Sequence, residues 1–436
     1  MHNAQSQPQP QPQPQSQPHT FRDVPFMGVI FVVDEAEKRG FVNGHPDWCN
    51  LGQGQPEVGE LAGAPARKMS IELTLADHAY GPVHGTEELR AKVAAHYNRL
   101  FRSAGRSQYG PEHVAIAQGG RLALSRALAG LGEVTVGYQL PDYTAYEDML
   151  GLHLARVSPY PVRTSPANGF LLTEQQFQTA VADAGLGAFL LSNPCNPTGK
   201  TLYPPALQAM LATARAARCT LLVDEFYSHF IYQKDQSGDW RAADGPVSIA
   251  SVVDDVDRDQ VLIFDGLTKN YRYPGWRLGW MLGPPEVIAT MSRVASSLDG
   301  GPSRLAQRAA MDILEPAVAD RETQAVRAAF AAKRTLMVER LSKLGVRFAG
   351  DPDSTFYLWG NLSDLPEPLN DAMSFFWKAL DHKVMTVPGS FFDVNPGRRR
   401  VGADPYRQWM RFSFGPPMDN LILGLDRLAA MVEQYQ

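Results

Sequence analysis

The sequence predicts an α/β fold with three layers, in which helices cover both faces of a mostly parallel central sheet. Short apolar runs of strand length, such as residues 188–192 and 220–223, alternate with amphipathic runs of helical length, such as residues 205–218. This alternation favours parallel strands joined by crossover helices. Beyond about residue 324 the pattern changes to a long helix followed by short strands, which predicts a smaller α+β domain.

The composition excludes several classes of function. The chain has 436 residues, of which 44% are hydrophobic, so it can bury a large core and form two domains. Its net charge of -5 gives no basic surface for nucleic acid, and we expect no such partner. Cys49, Cys195 and Cys219 lack paired or metal-binding spacing, which indicates a reducing, cytoplasmic setting. The histidines form no metal-binding motif, so we expect no metal site.

The chain divides into four regions by composition and pattern. Residues 1–20 form a Gln/Pro-rich tail that cannot bury apolar surface, and we expect this tail to be disordered. We expect residues 21–75 to join the small domain, residues 76–324 to form the large domain, and residues 325–436 to form the small C-terminal domain. The apolar run 24–33 is too short to span a bilayer, so we expect no membrane role.

Local patterns predict the individual elements, because helices repeat their apolar residues every three to four positions and buried strands are short apolar runs. The predicted helices are 27–39, 87–102, 120–131, 146–152, 173–184, 205–218, 324–344 and 372–381, with a last helix after residue 414. The predicted strands are 114–117, 134–136, 155–159, 188–192, 220–223, 261–264, 355–359, 385–387 and 409–414, with a short one near residue 347.

The stretch 265–277 carries the main chemical signal. It follows a predicted strand, places Lys269 in a loop, and adds Arg277 after a Pro-Gly turn. A lysine acts as a nucleophile when its surroundings keep the amine partly deprotonated. Arginine offers a planar fork that suits phosphate or carboxylate. A lysine and an arginine near a turn are more often solvated surface charges, so a functional role for this pair needs support from other residues of the chain.

Further polar residues follow other predicted strands. Asn196 lies in the sequence NPCNPTG, and Asp224 and Tyr227 lie in DEFY. Ligands of parallel sheets bind at the carboxyl ends of the strands, so we expect these residues to converge with Lys269 and Arg277. Together they suit a pyridine ring that carries a phenolate, an aldehyde and a phosphate. Asp224 alone could be a helix cap, but the joint occurrence in one order favours a site.

At these residues the sequence resembles the fold-type I pyridoxal-phosphate enzymes, the class I/II aminotransferase family, from about residue 28 to the C-terminus. The resemblance implies the fold-type I transferase fold, pyridoxal 5'-phosphate (PLP) as cofactor, and a homodimer. It also implies catalytic roles for Lys269, as the Schiff-base lysine and acid/base, for Asp224, as the partner of the ring nitrogen, and for Tyr227, as a donor to the ring oxygen.

The resemblance assigns the other site residues. Asn196 would hydrogen-bond the ring oxygen and line the substrate site, and Tyr143 would stack on the ring. The phosphate ligands would be Gly120, Arg121, Arg277 and, across a dimer interface, Tyr80 of the neighbouring subunit. The substrate α-carboxylate would bind Arg411, with Gly54 lining the same pocket.

The implied reaction moves an amino group between an α-amino acid and a 2-oxo acid through a Lys269 Schiff base. The same residues would serve a PLP-dependent lyase, cyclase or oxidase of specialised amino-acid metabolism, similar to 1-aminocyclopropane-1-carboxylate synthase, and this alternative stays open. A regulatory module that has kept the fold is a third hypothesis, against which the intact lysine argues. An acidic substrate would need a second arginine, for which Arg304 is one candidate.

One position departs from the family pattern. Gly266 stands three residues before Lys269, where the family usually places a phosphate-binding serine. Thr268 is a candidate for the missing hydroxyl if the loop turns it inward. Otherwise its hydroxyl bonds its own backbone, as threonines in turns often do.

Overall fold

The computed structural model describes residue 26 and residues 28–102, 105–236 and 240–436. The predicted tail 1–20 lies outside these residues. The described α-helices are α1 (Gly28–Glu37), α2 (Glu87–Phe101), α3 (Gly120–Gly130), α4 (Ala145–Gly151), α5 (Glu174–Ala184), α6 (Pro204–Ala217), α7 (Pro285–Leu298), α8 (Arg304–Ile313), α9 (Pro316–Lys343), α10 (Ala372–Asp381) and α11 (Met418–Glu433). None of these helices combines the length and apolar character needed to cross a bilayer.

The described strands form one large and three smaller sheets. They are β1 (Cys49–Asn50), β2 (Val114–Ala117), β3 (Val134–Leu140), β4 (Val157–Arg163), β5 (Ala188–Ser192), β6 (Thr220–Asp224), β7 (Tyr232–Lys234), β8 (Trp240–Ala242), β9 (Val261–Gly266), β10 (Gly279–Leu282), β11 (Arg347–Phe348), β12 (Tyr357–Asn361), β13 (Val384–Met385), β14 (Val387–Pro388) and β15 (Trp409–Ser413).

The seven-stranded sheet has the order β2-β10-β9-β6-β5-β3-β4 and is the structural centre of the molecule. All of its pairs are parallel except those of β10, which runs antiparallel to both neighbours. Successive side chains of a strand point to opposite faces. Along β6, Leu221 and Val223 accordingly pack in one hydrophobic core and Leu222 in the other. The sheet is therefore buried on both faces, and the predicted α/β fold is confirmed.

The C-terminal part contains a four-stranded antiparallel sheet of order β11-β12-β15-β14. The N-terminal segment joins it, because β1 pairs in parallel with β13 and α1 packs against β13 and β14. On this basis we propose the predicted division into a large domain and a small domain that includes the N-terminal segment. The proposed boundary at residue 324 falls inside α9.

The structure differs from the predicted elements in several places. The antiparallel strand β10 and the helices α7 and α8 were not predicted. Helix α9 begins at Pro316, ahead of the predicted start at 324, because proline is favoured in the first turn of a helix. Strand β4 begins at Val157, two residues later than predicted, since residues 152–156 form a turn. Helix α1 ends at Glu37, two residues before the predicted end.

Candidate active site

A cavity of about 640 Å³ lies at the carboxyl ends of the parallel strands of the large sheet. It is lined by every predicted site residue except Tyr80 and the candidate second arginine, Arg304. The residues brought together are Gly54, Gly120, Arg121, Tyr143, Asn196, Asp224, Tyr227, Lys269, Arg277 and Arg411. The convergence follows from topology, because the loops after parallel strands meet at one edge of the sheet.

Lys269 lies in the loop between β9 and β10, and its amine donates a hydrogen bond to the carbonyl oxygen of Gly54. Desolvation in the cavity, together with the positive charges of Arg121, Arg277 and Arg411, lowers the pKa of Lys269 to about 7. Both effects disfavour the charged ammonium. A substantial fraction of the amine is therefore deprotonated at neutral pH, which suits a nucleophile or general base.

Asp224 ends β6 and is buried beneath the cavity. Its Oδ2 accepts a hydrogen bond of 2.9 Å from the Tyr146 hydroxyl, and its Oδ1 accepts one of 3.3 Å from the backbone N–H of Phe226. Burial raises the pKa of Asp224 to about 6, against the opposing effect of these hydrogen bonds. A carboxylate in such a place is stabilised by a cationic ligand atom, because the ligand supplies the missing positive charge.

Arg411 on β15 is almost completely buried, with 1% exposure. Its Nη1 donates to Oδ1 of Asn196 at 2.9 Å, and its Nη2 donates to the carbonyl oxygen of Gly52 at 2.8 Å. The guanidinium carbon lies 4.1 Å from the ring centre of Tyr357, within the range of a cation–π contact. The hydroxyl of that tyrosine is 2.9 Å from the Tyr227 hydroxyl. These contacts fix the arginine in a geometry suited to a carboxylate.

The start of α3 also lines the cavity and has features that suit an anion. Gly119 adopts φ 83°, a conformation that favours glycine, and turns the chain from β2 into the helix. A side chain there would also collide with Arg277, since a Cβ atom would lie 2.4 Å from its Nη2. Arg121 donates from Nε to the Tyr143 hydroxyl at 2.9 Å. Helix N–H groups and two guanidinium groups together suit a phosphate.

Tyr80 lies outside this cavity and is fully exposed in the single chain. Sequence reasoning also missed several lining residues, among them Phe226, Tyr357 and, on α1, Val29, Ile30 and Val33. The amphipathic pattern of α1 predicted the helix but carried no signal for its position over the cavity. That position depends on pairing between β1 and β13, which are far apart in the sequence.

Comparison with known proteins shows the family to which the chain belongs. The family described as aminotransferase class I and II matches residues 46–425, which is most of the chain. The chain belongs to the class I and II aminotransferase family. It is similar to an aspartate aminotransferase of Sulfurisphaera tokodaii, with 25% identity over 88% of this chain and 90% of the relative. It is also similar to a valine–pyruvate aminotransferase of Mycobacterium tuberculosis, with 28% identity over 88% and 91% of the two chains.

The solved structures support the fold of this aminotransferase. The structure of an aspartate aminotransferase from Thermus thermophilus with maleate matches with a TM-score of 0.75 and 24% identity. The match covers 93% of this chain and 96% of that one. The predicted α/β architecture is therefore confirmed, and the family model over residues 46–425 confirms the predicted family.

Proposed function

We propose that this aminotransferase holds PLP in the cavity and moves an amino group between an α-amino acid and a 2-oxo acid. The proposal is supported by one observation above all. Lys269, with a pKa lowered to about 7, lines the same cavity as the buried carboxylate of Asp224 and the buried guanidinium of Arg411. A reactive amine, a buried anion and a carboxylate receptor are what this reaction requires.

The donor set fits PLP. Asp224 would pair with the protonated ring nitrogen, and Asn196 and Tyr227 would donate to the ring oxygen. Arg121, Arg277 and the N–H groups at the start of α3 would hold the phosphate. The cofactor supplies an aldehyde carbon that carries the amino group and an electron-withdrawing ring that stabilises negative charge. The buried position of Asp224 supports its role, because a cationic ring nitrogen would keep this carboxylate ionised.

The remaining residues position the substrate and move its proton. Arg411 would bind the α-carboxylate, which orients the Cα–H bond towards Lys269. The Lys269 amine would then take the proton from Cα and deliver it to the former aldehyde carbon of the cofactor. Its lowered pKa supports this role, because a general base works best when its pKa is near the operating pH.

The test is a panel of amino acids mixed with the purified, PLP-loaded protein. We expect at least one amino acid to convert the visible spectrum to that of the amino form of the cofactor, with release of the matching 2-oxo acid. Lys269→Ala should lose both signals. Ammonia or a cyclic product in place of the 2-oxo acid would instead identify the lyase, cyclase or oxidase alternative, which the aminotransferase relatives do not favour. An unchanged reaction in Lys269→Ala would contradict the site assignment.

We also propose a homodimer in which Tyr80 reaches the phosphate of the neighbouring subunit. The support is its complete exposure and its absence from its own cavity, together with nearby exposed apolar side chains at Met69 and Leu75. Such exposed apolar surface is typical of an interface.

The cellular location we propose is the cytoplasm, which the three free, buried cysteines support.

A mixing experiment tests the shared site. Tyr80→Ala and Lys269→Ala are refolded or co-expressed together, so that mixed dimers form, and activity is assayed at a limiting PLP concentration at which Tyr80→Ala alone is inactive. If Tyr80 serves the partner, each mixed dimer has one intact site, and about a quarter of the wild-type activity should return in an equal mixture. No recovery above the separate variants would place Tyr80 in its own subunit's site or outside any site.

A further inference from the structure

The backbone leaves no room for a hydroxyl-bearing side chain at position 266. Gly266 on β9 lies directly opposite Gly279 on β10. A Cβ atom at residue 266 would lie 2.5 Å from the carbonyl oxygen of Leu278 and 2.6 Å from the Cα atom of Gly279. Both distances are far below van der Waals contact, so a serine there would push the two strands apart.

The ring of Phe226 fills the neighbouring space. It packs against the start of α3, where a Cβ atom on Gly120 would lie 2.3 Å from its Cε2 atom. Its Cε1 atom would be 3.2 Å from a Cβ atom on Gly266. Phe226 thus occupies the volume between the two glycines with an apolar ring that cannot donate a hydrogen bond to an anion.

Thr268 offers a hydroxyl in the same region. It lines the cavity together with Lys269, Arg121 and Arg277, and only 8% of the residue is exposed. Within the described part of the chain its Oγ1 atom is buried and has no hydrogen-bond partner. Buried hydroxyl groups are usually paired, so this one is available to donate to a ligand that enters the cavity it lines.

We propose that the Thr268 hydroxyl donates a hydrogen bond to the cofactor phosphate and replaces the hydroxyl excluded at Gly266 by close strand packing and by the Phe226 ring. This inference rests on the proposed function, since it requires PLP in the cavity. The loop that carries the reactive lysine would then also bind the phosphate. Through this hydrogen bond Thr268, the residue before Lys269, would help to position the amine. Thr268 is therefore a cofactor-binding residue.

The test compares Thr268→Val with Thr268→Ser. Valine keeps the shape of threonine but removes the hydroxyl, whereas serine keeps the hydroxyl. Equilibrium dialysis of the loaded protein against graded PLP gives the dissociation constant. We expect valine to weaken PLP binding roughly 10- to 100-fold, because a hydrogen bond to a charged group is lost. Serine should stay close to the wild type. Pyridoxal, which lacks the phosphate, should bind wild type and valine variant equally.

Thr201→Val is the matched control, because the Thr201 hydroxyl is also buried without a partner among the described residues but does not line the cavity. It should leave PLP affinity unchanged. The cofactor-free Thr268→Val protein should keep its melting temperature, while the rise in melting temperature on adding PLP becomes smaller. A purely structural role would lower the melting temperature of the cofactor-free protein instead.

Two results would overturn the inference. One is an unchanged PLP affinity in Thr268→Val, and the other is an equal loss of affinity for PLP and pyridoxal. If valine prevents folding, Thr268→Ala is measured in the same way against the same criteria. Failure of the wild type to bind PLP at all would instead remove the proposed function, so the two failures are distinguishable.

Discussion

The two ends of the cavity at which we propose that anions bind are built differently. At the carboxylate end, Arg411 is buried and held by a side-chain amide, a backbone carbonyl and an aromatic ring. At the phosphate end, Arg121 and Arg277 are exposed in the single chain, and within the described residues Arg277 donates a single hydrogen bond, of 3.0 Å, to the carbonyl oxygen of Pro274. The carboxylate end is therefore fixed before a ligand arrives. The phosphate end instead consists of backbone N–H groups and long, exposed side chains.

This difference has an energetic consequence. A buried, pre-oriented guanidinium gains more from a carboxylate than an exposed one, because water no longer screens the charges and little side-chain freedom remains to be lost. The phosphate end instead distributes its binding over several groups, including Thr268 and Tyr80 in our proposals. Single substitutions at the carboxylate end should therefore reduce kcat/KM strongly, whereas those at the phosphate end should mainly weaken PLP binding and change kcat/KM little once PLP is saturating.

The largest effect is expected for Arg411→Lys. Lysine keeps the charge but cannot reproduce the planar fork between Asn196 and the substrate. We expect kcat/KM for the preferred amino acid to fall roughly 100- to 1,000-fold, equivalent to about 3 to 4 kcal/mol. The dissociation constant of PLP should stay within about two-fold, since it reports the other end. A similar loss in PLP affinity would show that the two ends are not independent.

Arg277→Lys should have a smaller effect on the phosphate end. The exposed side chain is screened by solvent, so we expect PLP affinity to fall only about 10-fold and kcat/KM at saturating PLP to change little. Arg258→Lys, a change at an exposed arginine outside the cavity, is the control and should have no effect. Added salt should weaken PLP binding to a similar degree in the wild type and in Arg277→Lys, because lysine keeps the positive charge. A fall in kcat/KM at saturating PLP as large as that of Arg411→Lys would contradict the proposed difference between the two ends.

Some features of the site could be predicted from the sequence, whereas others depend on contacts between distant segments. The loops after β5, β6 and β9 had to meet, because parallel strands end at the same edge, so Asn196, Asp224 and Lys269 could be grouped from their order alone. The steric reason for Gly266 could not be predicted, because it requires the antiparallel pairing with β10 and the position of the Phe226 ring. Local periodicity contains no information about such close approach of distant backbone segments.

The pattern also could not place α1 or Gly54 next to the reactive lysine. The contact between the Gly54 carbonyl and Lys269 joins residues more than 200 positions apart, and it depends on how the N-terminal segment packs near the large sheet. The arginine of the carboxylate end was assigned by family resemblance, whereas its burial and its bond to Asn196 are visible only in the folded chain.

The smallest predicted effect concerns the pH dependence of cofactor attachment. Only a deprotonated amine attacks an aldehyde. Because burial and neighbouring cations lower the pKa of Lys269 to about 7, the rate at which PLP attaches to the cofactor-free protein should rise with pH and reach half its maximum near pH 7. Between pH 7 and pH 8 it should increase by less than about two-fold. Stopped-flow absorption at constant ionic strength measures this rate.

The same measurement separates the two ends, since both contribute positive charge near the amine. Arg277→Gln removes a charge and should raise the pKa of Lys269, which shifts the midpoint to higher pH. Arg411→Lys keeps its charge, so its midpoint should stay near that of the wild type, although its catalysis is strongly impaired. A midpoint close to that of an ordinary lysine in the wild type, or equal midpoints in the wild type and Arg277→Gln, would contradict the proposed electrostatic origin of the lysine's reactivity.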